Sequence, residues 1–228
     1  AFLLAAEQQM RTLATEVATD SFRGVTELTV AAPDHPRLLA IITGACAAAG
    51  ANIVDAQIFT TTDGLALDTI FISRAFDRDE DELRRAGRVA QHIERALKGE
   101  TRIAEALAAR APDNSMSTAF SVPPDVVIDN AVSARHTVIE VSGLDRPGLL
   151  YELTTALGKL NLNIGSAHIA TFGEKAVDVF YVTDLTGTKV ANPARQAAIR
   201  RSLLEVLTAR DIQRERDTAR AKVAAAGR

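Results

Sequence analysis

Cysteine is nearly missing from this chain of 228 residues: Cys46 stands alone. No intrachain disulfide can form, and no Cys/His spacing of a structural zinc site is present. The lone thiol reads as a small buried hydrophobe, and cysteine poverty points to a reducing cytoplasm. A basic surplus is missing too. The 26 Lys and Arg face 29 Asp and Glu, for a formal net charge of -3, which gives no footprint for non-specific nucleic-acid binding. No apolar run is long enough to span a membrane: Leu38 to Ala51 falls short of the roughly 18 residues required and is broken by Thr43, Gly44 and Gly50. The chain opens at Ala1 with AFLLAAEQQM, without the basic start and long apolar core of a signal peptide. That opening leads to the expectation of a fragment, or of a processed or incompletely resolved start.

Catalytic signatures are also lacking. There is no Gly-Ser followed by paired metal-binding aspartates, no adjacent His-Asp, no P-loop and no HExxH. His35, His92, His136 and His168 are scattered, so no metal centre is expected. Asp77, Asp79 and Asp81 alternate just before a helical pattern and read as acidic residues favouring its N-terminus.

What is present is an ordinary globular composition, 47% hydrophobic and 24% charged, with length for two domains of about 100 residues each. The chain also repeats itself. Shifted by 111 residues, DHPRLLAIITGACAAAGANIVDAQIFT (Asp34 to Thr60) aligns with DRPGLLYELTTALGKLNLNIGSAHIAT (Asp145 to Thr171), with 11 of 27 columns identical. After a one-residue deletion the match resumes at ALDTIF (Ala66) and AVDVFY (Ala176). A repeat this long implies two copies of one domain rather than a solenoid.

Within each copy, Glu27 to Val30 and Val138 to Val141 read as strands ending at an Asp-x-Pro turn. Pro36 and Pro147 suit the first helical position. Leu38, Ile41, Ile42, Ala45 and Ala49, like Leu149, Leu153, Ala156, Leu157 and Leu160, follow at helical spacing. Asn52-Ile53 and Asn163-Ile164 each open a hairpin through a Gly-containing turn. A second helix closes each copy, through Leu83, Ala86, Val89, Ile93 and Leu97, or through Ile199, Leu203, Val206 and Leu207. The same offset brings Thr15-Glu16-Val17 against Val126-Val127-Ile128, favouring an extra strand before each domain and the order ββαββα. The competing order is βαββαβ, with the last strand after the second helix. Either gives an α+β fold with two helices on one face of a four-stranded antiparallel sheet. The expected division is an N-terminal segment from a preceding region (1–14), a first domain (15–110) that ends in a helix over Thr101 to Arg110, a linker (111–125), a second domain (126–209) and a charged tail (210–228), solvated helix or frayed.

DRPGLL with LNIGSAHIAT, and DHPRLLAI with GANIVDAQIFTTTDGLALDTIF, resemble the tandem ACT domains at the C-terminus of bifunctional PII uridylyltransferase/uridylyl-removing enzymes. The resemblance spans roughly Gly24 to Ala209. It implies two ferredoxin-like ACT domains and a module that senses glutamine, with no cofactor of its own. The parent polypeptide would then carry the catalytic domains, use UTP and Mg, and modify the PII protein in nitrogen signalling, and the ACT domains would allow a homodimer.

The turn from first strand to first helix offers unpaired N-H groups and a positive helix end, suited to a carboxylate. The candidate ligand residues are therefore Asp145, Arg146, Pro147, Gly148, Leu149, Asn163 and Ile164, with Asp34, His35, Pro36, Arg37, Leu38, Asn52 and Ile53 in the first copy. Asp34 and Asp145 are suited to cap the helix or to face an ammonium, Gly148 to let a ligand approach the backbone, and Asn52 and Asn163 to pair with a carboxamide. Asp-x-Pro is equally a plain helix start, and Asn a plain turn residue. Arg37 replaces the glycine, and would either block the first site or hold a carboxylate. Asp68 and Asp178 repeat inside strands, either solvated on an outer face or in a domain contact. A ligand is expected between the first-helix start of one unit and a neighbouring unit. The alternatives are a free-standing two-ACT regulator acting through protein partners and, below it, an enzyme with an unrecognised site.

Overall fold

The computed structural model describes residues 13–109 and 122–226, with side-chain surroundings from 13 to 107 and from 122 to 209. The expected linker core (Ala111 to Ser117) and residues 1–12 lie outside the described residues.

Alternating burial builds the strands. In β2 (Val25–Pro33), Thr26, Leu28, Val30 and Ala32 face inward while Glu27 and Thr29 face out. The chain runs β1 (Ala14–Asp20), β2, α1 (Leu38–Ala49), β3 (Ile53–Thr60), β4 (Leu65–Ser73), α2 (Asp79–Leu97) and α3 (Ile103–Ala109). The second unit follows as β5 (Asp125–Asp129), β6 (Thr137–Leu144), α4 (Leu149–Lys159), β7 (Leu162–Phe172), β8 (Lys175–Asp184) and α5 (Pro193–Ala226). Each unit is thus ββαββα, and the alternative with a strand after the second helix is not what the described residues form. Helix α3 falls in the expected place, and α5 continues without a break into the charged tail.

The two sheets join into one of eight strands, ordered β1-β2-β4-β3-β7-β8-β6-β5 and antiparallel throughout. At the seam, Asp55, Ala56 and Gln57 of β3 pair with Ala170, Ile169 and His168 of β7. Gln57 and His168 are themselves repeat equivalents, 111 residues apart, so a pseudo-two-fold axis passes through their pairing. The same axis brings α1 against α4: the hydroxyls of Thr43 and Thr154, also equivalents, lie 3.3 Å apart and buried. Gly44 makes this approach possible, because a Cβ there would come within 2.7 Å of the Tyr151 ring and 2.5 Å of Ile103 Cγ2. Buried side chains of both units form one continuous core.

Two local expectations are corrected. Pro36 and Pro147 do not open the helices, which begin at Leu38 and Leu149. Each proline is the second residue of a turn closed by Leu38 N-H to His35 O (2.9 Å) or Leu149 N-H to Arg146 O (3.1 Å); its fixed φ suits that position. In α2, Leu83 is 42% exposed, and Glu82 takes the inward place. Its carboxylate accepts from the amides of Ala75 (3.0 Å) and Phe76 (3.1 Å), the Thr26 hydroxyl (2.9 Å) and Arg85 (2.7 Å). Four donors that need an acceptor outweigh the apolar gain of burying Leu83. Asp79 and Asp81 lie in the first turn of α2, with Asp77 just before it, as expected.

Although burial opposes the charge on Glu82, the amide, hydroxyl and Arg85 contacts hold its pKa below the usual value. Its contribution to stability is therefore present above the unfolded-state value and lost as pH falls through the lower folded one. Glu82→Ala should cost about 2–4 kcal/mol in urea unfolding at pH 7 by stranding those donors, and the gap to wild type should close in acid.

Candidate ligand-binding site

Between the units, the turn before α4 faces the end of α1 across a cavity of about 310 Å³. Asp145 to Leu149 form one wall; Asn52 and Ile53, from the other unit, form the opposite wall, and Thr43 and Tyr151 lie at the helix crossing. The equivalent place beside the turn before α1 joins Asp34, His35, Pro36 and Leu38 to Asn163 and Ile164, but encloses only about 10 Å³. Each Asp-x-Pro turn therefore shares its cavity with the Asn-Ile pair of the other unit. Arg37 lines neither cavity, and its side chain is exposed. Thr43, Ala47 and Tyr151 were not foreseen; the signal for them was the shared position of Thr43 and Thr154 in the repeat, read as lying on an axis.

Gly148 gives the turn beside the larger cavity a different form from that of its counterpart. It sits at φ +82°, ψ 0°, the third position of a type II turn, where glycine is favoured. Arg37, at φ -108°, ψ 1°, is in the corresponding type I position. The two turn types differ by a reversal of the central peptide plane, so the two units present different backbone groups at otherwise matching loops.

Neither helix has a side-chain cap. The Asp145 carboxylate instead accepts from the Arg146 amide at 2.8 Å, and the loops are tied to the hairpin turns by Asp145 N-H to Glu174 O (2.8 Å) and Asp34 N-H to Gly64 O (2.9 Å). The first-turn amides of α4 at the cavity, with the positive helix end, suit a carboxylate. Arg146 lines the cavity, but its guanidinium is engaged elsewhere: two bonds to the Glu152 carboxylate (2.9 and 2.6 Å) and one to the Val206 carbonyl (3.0 Å) anchor the loop to α4 and α5.

The buried aspartates overturn one of the expectations. Asp68 and Asp178 are 1% and 3% exposed; each lies on the helix-covered face of its sheet, so solvation on an outer face is excluded. Burial, then the charge of Asp34, pushes Asp68 up to about 7, and burial with Asp145 pushes Asp178 up to about 8. Burial also raises Asp145, against the hydrogen bond from the Arg146 amide. Cys46 is buried as expected, its thiol pushed up to about 12 by burial. Among the described residues, no cluster of His, Cys, Asp or Glu could hold a metal ion, and no helix is long and apolar enough to cross a membrane.

A doubled α+β unit with a cavity shared across its two-fold axis defines the class of protein. The chain belongs to the ACT domain family, whose pattern matches residues 26–86 and 137–200. It is 63% identical over 208 residues to the "Bifunctional uridylyltransferase/uridylyl-removing enzyme" of Rhodopseudomonas palustris, covering 90% of this chain and 22% of that protein. It is 61% identical over 210 residues to the enzyme of the same name from Bradyrhizobium sp. BTAi1, covering 92% and 23%. The chain thus spans less than a quarter of the length of these relatives. Aspartate kinase from Synechocystis is 18% identical with a TM-score of 0.37, covering 72% of this chain and 24% of that one.

Unfolded aspartates ionise near 4, so the native state holds the extra protons of Asp68 and Asp178 between about pH 4 and about pH 8 and loses stability as pH rises across that window. Asp68→Asn and Asp178→Asn should each raise the thermal midpoint by several degrees at pH 8 and leave it nearly unchanged at pH 4, read by circular dichroism. A second variant tests the crossing: Gly44→Ala, forced against Tyr151 and Ile103, should cost about 1–3 kcal/mol in urea unfolding.

Proposed function

We propose that this chain is the regulatory, glutamine-sensing part of a bifunctional uridylyltransferase/uridylyl-removing enzyme. The observation that carries this reading is the 310 Å³ cavity, in which the α4 start of one unit faces Asn52 of the other. Support comes also from the two relatives of that name, which match over nine-tenths of the chain. In this reading the effector carboxylate lies at the α4 N-terminus, close to the backbone at Gly148, where no Cβ narrows the approach. Its ammonium faces Asp145, and its carboxamide pairs with Asn52, which supplies both a donor and an acceptor.

Because the cavity walls come from different units, a ligand that bridges them favours one arrangement of the pair over others. That difference in affinity is what coupling to a distant catalytic region requires. Arg146 gives the loop a direct tie to α5 through Val206. The wider setting of the proposal is a cytoplasmic parent enzyme whose catalytic domains use UTP and Mg and act on the PII protein, with ACT domains also available for a homodimer.

Calorimetric titration with glutamine should give saturable heat at this cavity, with glutamate and other amino acids much weaker. Asn52→Ala and Gly148→Arg should abolish that heat, whereas Asn163→Ala, on the other cavity, should retain it. Equal binding of unrelated amino acids, or full binding in Asn52→Ala, would refute the assignment.

A further inference from the structure

The continuous core lies on the helix side of the eight-stranded sheet. No helix covers the opposite side among the described residues, yet that side is not polar. Phe59 and Phe172 stand 60% and 68% exposed there, and Leu67, Val177, Val179 and Tyr181 are partly exposed around them. An apolar surface that runs across several strands marks a place where something packs. Strand register arranges it in rows. Leu67 pairs with Ala31 and Phe59, Tyr181 pairs with Ser166 and Val138, and the pairing of Gln57 with His168 sets Phe59 level with Ser166. One row thus runs Ala31, Leu67, Phe59, Ser166, Tyr181, Val138. The next contains Thr29, Gln57, His168 and Glu140.

Strands about 4.8 Å apart, eight of them, each crossing the face over about six residues, present about 800 Å². That is about what each partner buries in a stable interface of standard size. We propose that this uncovered face is a dimerisation surface, on which a second copy of the chain packs sheet to sheet at about 10 Å. The dimer axis runs between β3 and β7, parallel to the strands, and lays the first unit of each copy over the second unit of the other. Leu67 then meets Tyr181 of the second copy, Phe59 meets the smaller Ser166, Ala31 meets Val138, and Gln57 meets His168 as donor and acceptor. Glu140 meets Thr29. Charge selects this axis over one across the strands, which would set Glu140 of one copy against Glu140 of the other. The inference extends the homodimer of the proposed function and is independent of its glutamine clause.

Sedimentation equilibrium of the 228-residue chain tests it, up to about 200 µM, a range that detects a micromolar association. Wild type should be dimeric. Phe59→Glu, Leu67→Glu and Tyr181→Lys should each weaken association by about tenfold or more, with unchanged far-UV circular dichroism. Leu67→Glu and Tyr181→Lys combined in one chain should restore it, because each new carboxylate then meets an ammonium of the second copy. Within one chain β3 and β7 separate these two positions, so the rescue has no intrachain source. A monomeric wild type, expected if another domain of a longer polypeptide covers the face, would overturn the proposal. So would a dimer indifferent to all three substitutions, or a double variant that stays apart. Glutamine heat from a monomeric chain would sink the dimer alone; a rescued dimer without glutamine heat would sink the effector reading alone.

Discussion

Antiparallel pairing of β3 with β7, centred on Gln57 and His168, is the contact on which the rest of the arrangement depends. Two homologous strands that pair at equivalent residues must be related by a two-fold axis, and that axis dictates every other contact between the units. It sets α1 against α4, brings Thr43 to Thr154, and carries each Asn-Ile pair across to the opposite loop. Two separate half-sites become two shared cavities. The seam also pairs an edge strand of each unit, which would otherwise expose open N-H and C=O groups.

Symmetry of backbone does not enforce symmetry of chemistry. Gly148 and Arg37 occupy one position in the repeat but different turn types. One cavity is wide and the other nearly closed. At the helix crossing, Gly44 receives the Tyr151 ring, where the repeat equivalents are Thr155 and Ala40, so the exchange of bulk for space occurs on one side of the axis only. The pair of units thus holds one open cavity and one tight one, and each unit buries one aspartate whose pKa burial raises.

The polar groups inside the sheet fall into two kinds. Glu82 is satisfied by four donors and ties the start of α2 to β2 and to the β4–α2 connection. Asp68 has none. Both are fully buried acids, yet the first organises its surroundings and the second is left with an unmet demand.

Much of this was legible in the sequence because hydrophobic period and repeat offset are local, additive signals. The 111-residue offset revealed two units, the period of 2 or 3.6 revealed their elements, and the alignment of Val17 with Ile128 located the leading strands. Sequence also marked the loop residues and the Arg37 departure. It could not show that Asn52 belongs with Asp145 rather than with Asp34, because residues far apart in the chain meet only through the seam between units. Nor could it separate Glu82 from Leu83, or place Asp68 and Asp178 on the covered face, since whether a carboxylate is solvated depends on which donors the packed chain brings within 3 Å. The sequence by itself determined the repeated unit and its strands and helices; the pairing of β3 with β7 decided which halves share a cavity, because that choice depends on contacts between units and not on the pattern within either one.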